Sequence, residues 1–179
     1  MPVEHVAIVG AGFSGTLQAI NLLRHEGPRA TLIERGARAG EGLAYGAAHP
    51  SHVLNVRAGN MSALPDDPGH FVRWLEGRGV ADAASAFASR VTYGVYLREM
   101  LDAALATSNG RLTVRYGEVV DAVESRRGVA LKLADGEAIE ADAAVLAVGN
   151  LPPHDPPGLS DGALPGDLYK GDPWAGDVA

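Results

Sequence analysis

The 179-residue sequence contains no cysteine, which excludes structural disulfides, thiolate zinc sites and a redox-active Cys-x-x-Cys pair. It has no uninterrupted apolar run near the roughly 20 residues that a bilayer span needs. Met1 leads straight into a strand-like segment, without a basic leader region or cleavage site. Basic residues are in the minority, 15 Lys and Arg against 22 Asp and Glu, for a formal net charge of −7. Such a balance offers no general attraction to nucleic-acid phosphates or anionic lipid, so neither is expected as a partner. No segment recurs at a solenoid period. What remains, 46% hydrophobic and 21% charged residues, is the composition of a globular domain long enough to bury a core. A soluble, cytoplasmic protein is expected.

The chain opens with His5–Gly10 (HVAIVG), an apolar run that reads as a buried parallel strand. Phe13–Glu26 follows with Leu17, Ala19, Ile20 and Leu23 at helical spacing, stopped by Gly27-Pro28. Ala30–Arg35 (ATLIER) is a second buried strand. Strand, helix and strand within ~30 residues make a βαβ unit, whose sheet is parallel. The glycine density of Gly36–Gly46 argues for a loop that hugs something closely, and an irregular region continues to about Pro68. Two amphipathic helices come next, His70–Glu76 and Tyr93–Ala106, the second ended by Asn109-Gly110. From Leu112 the period changes: Leu112–Val123, Val129–Ala134 and Ala138–Glu140 alternate as strands, with Asp135-Gly136 as a hairpin turn. Ala143–Val148 is again apolar and strand-like, and Leu151–Ala179 reads as a Pro/Gly-rich connector. The expected fold is therefore α/β: a Rossmann-like domain over residues 1–150, a parallel sheet with helices, carrying a small antiparallel meander at about 112–141.

The strongest constellation is Gly10-Ala11-Gly12-Phe13-Ser14-Gly15, which follows a strand and opens a helix. In that context Gly10 permits the tight turn, Gly12 lets a pyrophosphate approach the backbone, and Gly15 lets helix and strand pack closely. The helix N-terminus adds free N–H groups and a positive dipole end. Glu34, at the end of the second strand, can accept hydrogen bonds from ribose hydroxyls, and it would repel a 2′-phosphate. The ligand is thus the ADP part of a dinucleotide, NAD or FAD.

Other residues have plainer roles. His49 and His52 are separated by Pro50 and lack a nearby third ligand, so no metal site is expected. Trp74 reads as core, Asp66-Asp67 as helix caps, and Arg98 and Glu99 as a solvated helix face.

Downstream, the segment leading into Ala147-Val148-Gly149 resembles the FAD-binding half of flavoproteins with two dinucleotide-binding domains. There a β-meander precedes an apolar strand ending in Ala-x-Gly beside the flavin. Val148 stands where that group more often has Thr or Ser. Gly42-Leu43-Ala44-Tyr45-Gly46 and Leu54-Asn55-Val56 through Asn60-Met61 are similar to the bacterial FAD/NAD(P)-binding oxidoreductases, distant relatives of flavin monooxygenases. The resemblance implies FAD as cofactor and NAD(P)H as electron donor. It places Gly10, Gly12, Phe13, Ser14 and Gly15 at the pyrophosphate, Glu34 and Arg35 at the adenosine, and the Val119 backbone at adenine. Tyr45, Asn55, Ala147 and Gly149 fall on the flavin side. It further implies that residues 151–179 lead toward an NAD(P)-binding domain lacking here, so that this chain alone would not be catalytically competent. Two other readings stay open: a non-catalytic nucleotide-binding fragment, and an NAD-dependent dehydrogenase domain. Against the latter, neither Tyr93 nor Tyr96 is followed by a lysine four residues on. Substrate, electron acceptor and oligomeric state have no signature in the residues.

Overall fold

The structure is a computed structural model, and it describes residues 2–46, 49–126, 128–151, 153–159, 164, 169, 171 and 172. A four-stranded sheet runs in the order β3-β2-β1-β7. Its strands are β1 (His5–Val9), β2 (Arg29–Glu34), β3 (Leu112–Tyr116) and β7 (Ala143–Leu146), and every neighbouring pair is parallel. Four helices accompany them: α1 (Phe13–Arg24), the short α2 (Gly42–Gly46), α3 (His70–Glu76) and α4 (Arg90–Thr107). A second, antiparallel sheet consists of β4 (Val119–Ser125), β5 (Gly128–Leu133) and β6 (Ala138–Ala141).

The alternation of side chains along a strand sorts the core into layers. Val6 and Ile8 of β1, with Ala30 and Leu32 of β2, face α1 and α4. Ala7 and Ile33 point the other way, onto Leu131, Leu133 and Ala141 of the meander. A third cluster joins α3 and α4 through Phe71, Leu75, Tyr93, Tyr96 and Leu97, with Leu54, Ala58 and Ala63 supplied by the irregular region between α2 and α3. His5, on the meander face, is buried. Its Nδ1 lies 3.0 Å from the Glu140 carbonyl and its Nε2 2.8 Å from Thr31 Oγ1. Asp142 fastens the two sheets by accepting from the Glu4 and His5 amides at 2.8 Å each.

Several expectations need correction. The alternation from Leu112 to Val123 is two strands, not one. Gly117 donates to the Glu34 carbonyl at 2.8 Å, and the residues before it pair parallel with β2. The meander therefore begins at Val119 and not at about 112. The glycine-rich loop ends in the short helix α2, and the irregular region after it holds a 3-10 turn at Ala58–Asn60. Helix α4 starts earlier than its apolar stripe, because Ser89 Oγ accepts from the Thr92 amide at 3.0 Å and caps it.

Asp66 and Asp67 do not cap α3, whose N-cap is Gly69 without a side-chain bond. Their carboxylates are taken by guanidinium groups instead, Asp66 by Arg24 at 2.6 Å and Asp67 by Arg73 at 2.5 Å. Glu99 likewise pairs with Arg78 at 2.6 Å and accepts from Trp74 Nε1 at 3.0 Å. Trp74 is half-buried at the margin of the third cluster, with Arg78 stacked 3.5 Å over its ring. Most of the expected connector, 151–179, lies outside the described residues.

Candidate functional site

The chain passes from β1 to β2 to β3 on one side and returns with β7 on the other flank of β1. The direction of winding therefore changes at the carboxyl ends of β1 and β7, the usual ligand position of such sheets. Both glycine motifs converge there. Ala147 donates its amide to the Val9 carbonyl at 2.8 Å, which sets Ala147-Val148-Gly149 against Gly10. A Cβ on Gly10 would stand 2.4 Å from the Ala147 oxygen, and Gly10 has φ +99°. A Cβ on Gly15 would stand 1.9 Å from the Gly10 oxygen. These two glycines are demanded by the chain's own packing.

Gly12 is different. Its φ of −73° suits any residue, and a Cβ there would meet only the Gly42 Cα, at an ordinary 3.5 Å. Nothing in the protein itself requires a glycine at this position, so its bare face suits a ligand that touches the backbone. Immediately beyond it the first turn of α1 presents amides with no side-chain cap and no acidic residue among the described residues. Orphan N–H groups at a helix start are an anion site in chemistry. The donor set fits the diphosphate of a dinucleotide.

Glu34 is held at the same place. Its Oε2 accepts from the Ala11 amide at 2.9 Å and its Oε1 from the Gly36 amide at 2.6 Å. Each oxygen retains a lone pair for a further donor. Arg35 is exposed next to it, and the Gly117 bond to Glu34 places the first residue of β4, Val119, at the same sheet end. Ser14 is exposed at the helix start, while Phe13 packs inward, 5.6 Å from the Tyr45 ring.

Tyr45 in turn lies 5.0 Å from Tyr93. It belongs to an aromatic wall that runs from the glycine junction into the third core cluster. Burial pushes the Tyr45 phenol above its ordinary value, and more strongly that of Tyr93. Asn55 is not drawn into this group: it is exposed and accepts from Arg90 at 2.9 Å, at the start of α4. The His49 and His52 rings meet edge to face, 5.9 Å apart, and no cluster able to hold a metal occurs among the described residues.

The residues that sequence reasoning missed lie in the second wall of the junction. Gly40 donates to the Ala11 carbonyl at 2.9 Å. Gly42, at φ +62°, approaches so closely that a Cβ on it would be 2.8 Å from the Gly12 Cα. Gly94 of α4 lets the Tyr45 carbonyl approach, since a Cβ there would be 2.8 Å from it. The glycine density of this segment signalled a close approach. It did not show that the thing approached is the glycine junction itself.

Solved structures share this architecture. A flavin-containing monooxygenase from Stenotrophomonas maltophilia is 22% identical, with a TM-score of 0.56 over 82% of this chain and 38% of its own. A closed cyclohexanone monooxygenase is 19% identical, TM-score 0.60, over 87% of this chain and 28% of its own. A steroid monooxygenase bound to NADP is 20% identical, TM-score 0.60, over 88% and 28%. These likenesses establish the fold, and the chain spans between 28% and 38% of the length of these proteins. No curated protein sequence matches the chain, and no helix among the described residues is long and apolar enough to cross a membrane. The sequence does match a family over residues 7–151, which takes in the glycine junction, Glu34, the meander and Ala147–Gly149. The chain belongs to the FAD-NAD(P)-binding family.

Proposed function

We propose that the chain is the FAD-binding part of an NAD(P)H-dependent flavin oxidoreductase of the monooxygenase-like kind. The observation that carries this reading is Gly12, a glycine the fold does not need, next to the uncapped amides of α1. The amides of Phe13, Ser14 and Gly15 would hold the diphosphate. Glu34, already oriented by two backbone donors, would accept from the adenosine ribose, with Arg35 and the Val119 backbone toward adenine. The Ala147–Gly149 turn and Tyr45 would border the flavin end, and Asn55 would join them only if the segment around Arg90 moves. FAD held there would supply the redox chemistry, hydride transfer from NAD(P)H and electron transfer to oxygen or an organic acceptor. The protein's contribution is placement. A carboxylate at Glu34 disfavours a 2′-phosphate, so NADPH would bind elsewhere in the whole protein.

Purified protein should be yellow, should show flavin absorbance, and should release FAD on heating. A colourless protein that takes up no FAD, yet gains thermal stability with NADH, would replace this reading with the nicotinamide one. The chain covers well under half of the monooxygenases it resembles, so it should bind FAD without steady NAD(P)H turnover.

A further inference from the structure

The segment from Gly40 to Gly46 is wedged between the glycine junction and α4. On one side Gly40 is bonded to Ala11 and Gly42 rests against Gly12. On the other side the Arg98 guanidinium of α4 pairs with the Glu41 carboxylate. Arg98 also closes over Gly40, where a Cβ would stand 3.2 Å from its Cγ. Glu41 folds back under α2, its Oε2 only 2.7 Å from where a Gly46 Cβ would be. The Glu41 side chain is 14% exposed and that of Arg98 33%.

A carboxylate so placed is at odds with its surroundings. It belongs to the residue next to Gly42, whose Cα lies 3.5 Å from where a Gly12 Cβ would be. Poorly exposed and unpaired, it would both carry a desolvation cost and repel an anion nearby. If the segment needed only an anchor, a neutral side chain would serve.

We propose that Arg98 and Glu41 are a positioning pair for the dinucleotide. Arg98 cancels a carboxylate charge beside the diphosphate, and the same contact seats Gly42 against Gly12. The proposal rests on reading the Gly12 junction as the diphosphate site. It separates charge from shape, and that makes it testable. Glu41→Gln keeps an acceptor for Arg98 while removing the negative charge, so FAD should bind as well as to the unaltered chain, or better. Arg98→Ala exposes the diphosphate to an uncompensated carboxylate, and FAD should bind about tenfold more weakly at low ionic strength. That loss should shrink at about 0.5 M salt, where the screening length falls to a few ångströms. The double variant R98A/E41Q should regain the charge-dependent part of the affinity that R98A loses, and so bind FAD more tightly than R98A.

The four proteins would be titrated with FAD, following flavin fluorescence, and each would be melted without ligand. A purely structural bridge predicts the reverse pattern: Glu41→Gln weakens FAD binding as Arg98→Ala does, the double variant is no better than Arg98→Ala, and salt changes nothing. That pattern overturns the proposal even if Arg98→Ala folds poorly, because Glu41→Gln alone decides the sign. An unaltered chain that takes up no FAD would instead refute the diphosphate reading itself, and the pair's role would fall with it.

Discussion

Gly12 and Gly15 lie in the same motif, yet the structure assigns them opposite consequences when a methyl group is added. Gly12→Ala puts a Cβ at an ordinary 3.5 Å from the Gly42 Cα, on a backbone with φ −73°. Restricting the unfolded chain gains roughly 0.4–1 kcal/mol, and exchanging Gly for Ala at an N-cap loses a similar amount. The ligand-free protein should therefore melt within about 3 °C of the unaltered one. Gly15→Ala places its Cβ 1.9 Å from the Gly10 oxygen and 3.2 Å from the Ala147 Cβ. Helix α1 must move off β1, and the strain exceeds the ~1 kcal/mol of helix propensity gained. A net loss of at least about 2 kcal/mol, roughly 4–8 °C, follows.

Binding should invert that order of damage. The Gly12→Ala methyl group occupies the face a diphosphate would touch. Displacing the ligand forfeits on the order of two charge-assisted hydrogen bonds, about 3–4 kcal/mol, or ~10²–10³ in affinity. Thermal melts without ligand and fluorescence titration with FAD measure the two effects separately. The reasoning is refuted if Gly12→Ala binds FAD normally, or if it loses as much stability as Gly15→Ala.

Further outcomes follow from the buried polar groups and from Glu34. Burial, aided by the Arg29 charge, holds the His5 imidazole below its ordinary 6.5. The native state thus keeps His5 neutral while the unfolded chain takes up a proton. Its contribution is present in full above pH 6.5 and is lost as pH falls through the interval below. The slope is at most about 1.4 kcal/mol per pH unit, and replacing His5 by Gln should flatten melting temperature against pH in that interval. Tyr93 is fully buried, and its hydroxyl meets no hydrogen-bonding partner among the described residues. Tyr93→Phe should therefore raise stability by about 1 kcal/mol, near 3 °C, whereas a lower melting point would mean that the hydroxyl is engaged. Glu34→Ala removes the acceptor of the Ala11 and Gly36 amides. It should cost about 2 kcal/mol of stability and weaken FAD binding as well, and an effect on neither would discount both roles.

The parts legible in the sequence were those whose cause is local. Val6 and Ile8 alternate with Ala7 and Val9 because a strand has period two, and Gly10 and Gly15 stand where a turn and a helix must pass close. The apolar run at Ala143 declared a buried strand without naming its neighbour, and the structure sets it beside β1. Expectations failed where an ion pair displaced the local role. Asp67 precedes a helix and has the chemistry of a cap, yet Arg73 takes its carboxylate. Asp66 is claimed by Arg24, 42 residues away in the chain, and Arg98 finds Glu41 across 57. Leu112–Tyr116 alternates like the meander that follows, and only the bend at Gly117 separates it. Period alone cannot say which sheet a strand joins.

An acidic chain that holds a diphosphate has to do so at short range. Six of its 15 Lys and Arg residues, Arg24, Arg73, Arg78, Arg98, Arg115 and Lys132, face carboxylates. At the glycine junction the donors are main-chain amides at the start of α1. Attraction through amides is directional and fades within the first turn of the helix, whereas attraction through lysine or arginine reaches a Debye length and is screened by salt. FAD affinity of the unaltered chain should therefore change less than about threefold between 0.05 and 0.5 M salt, far below the response of a site built from several side-chain cations. A steep salt dependence would place a cationic side chain at the phosphates, with Arg35 the first to test. It would then move the weight of recognition away from the backbone.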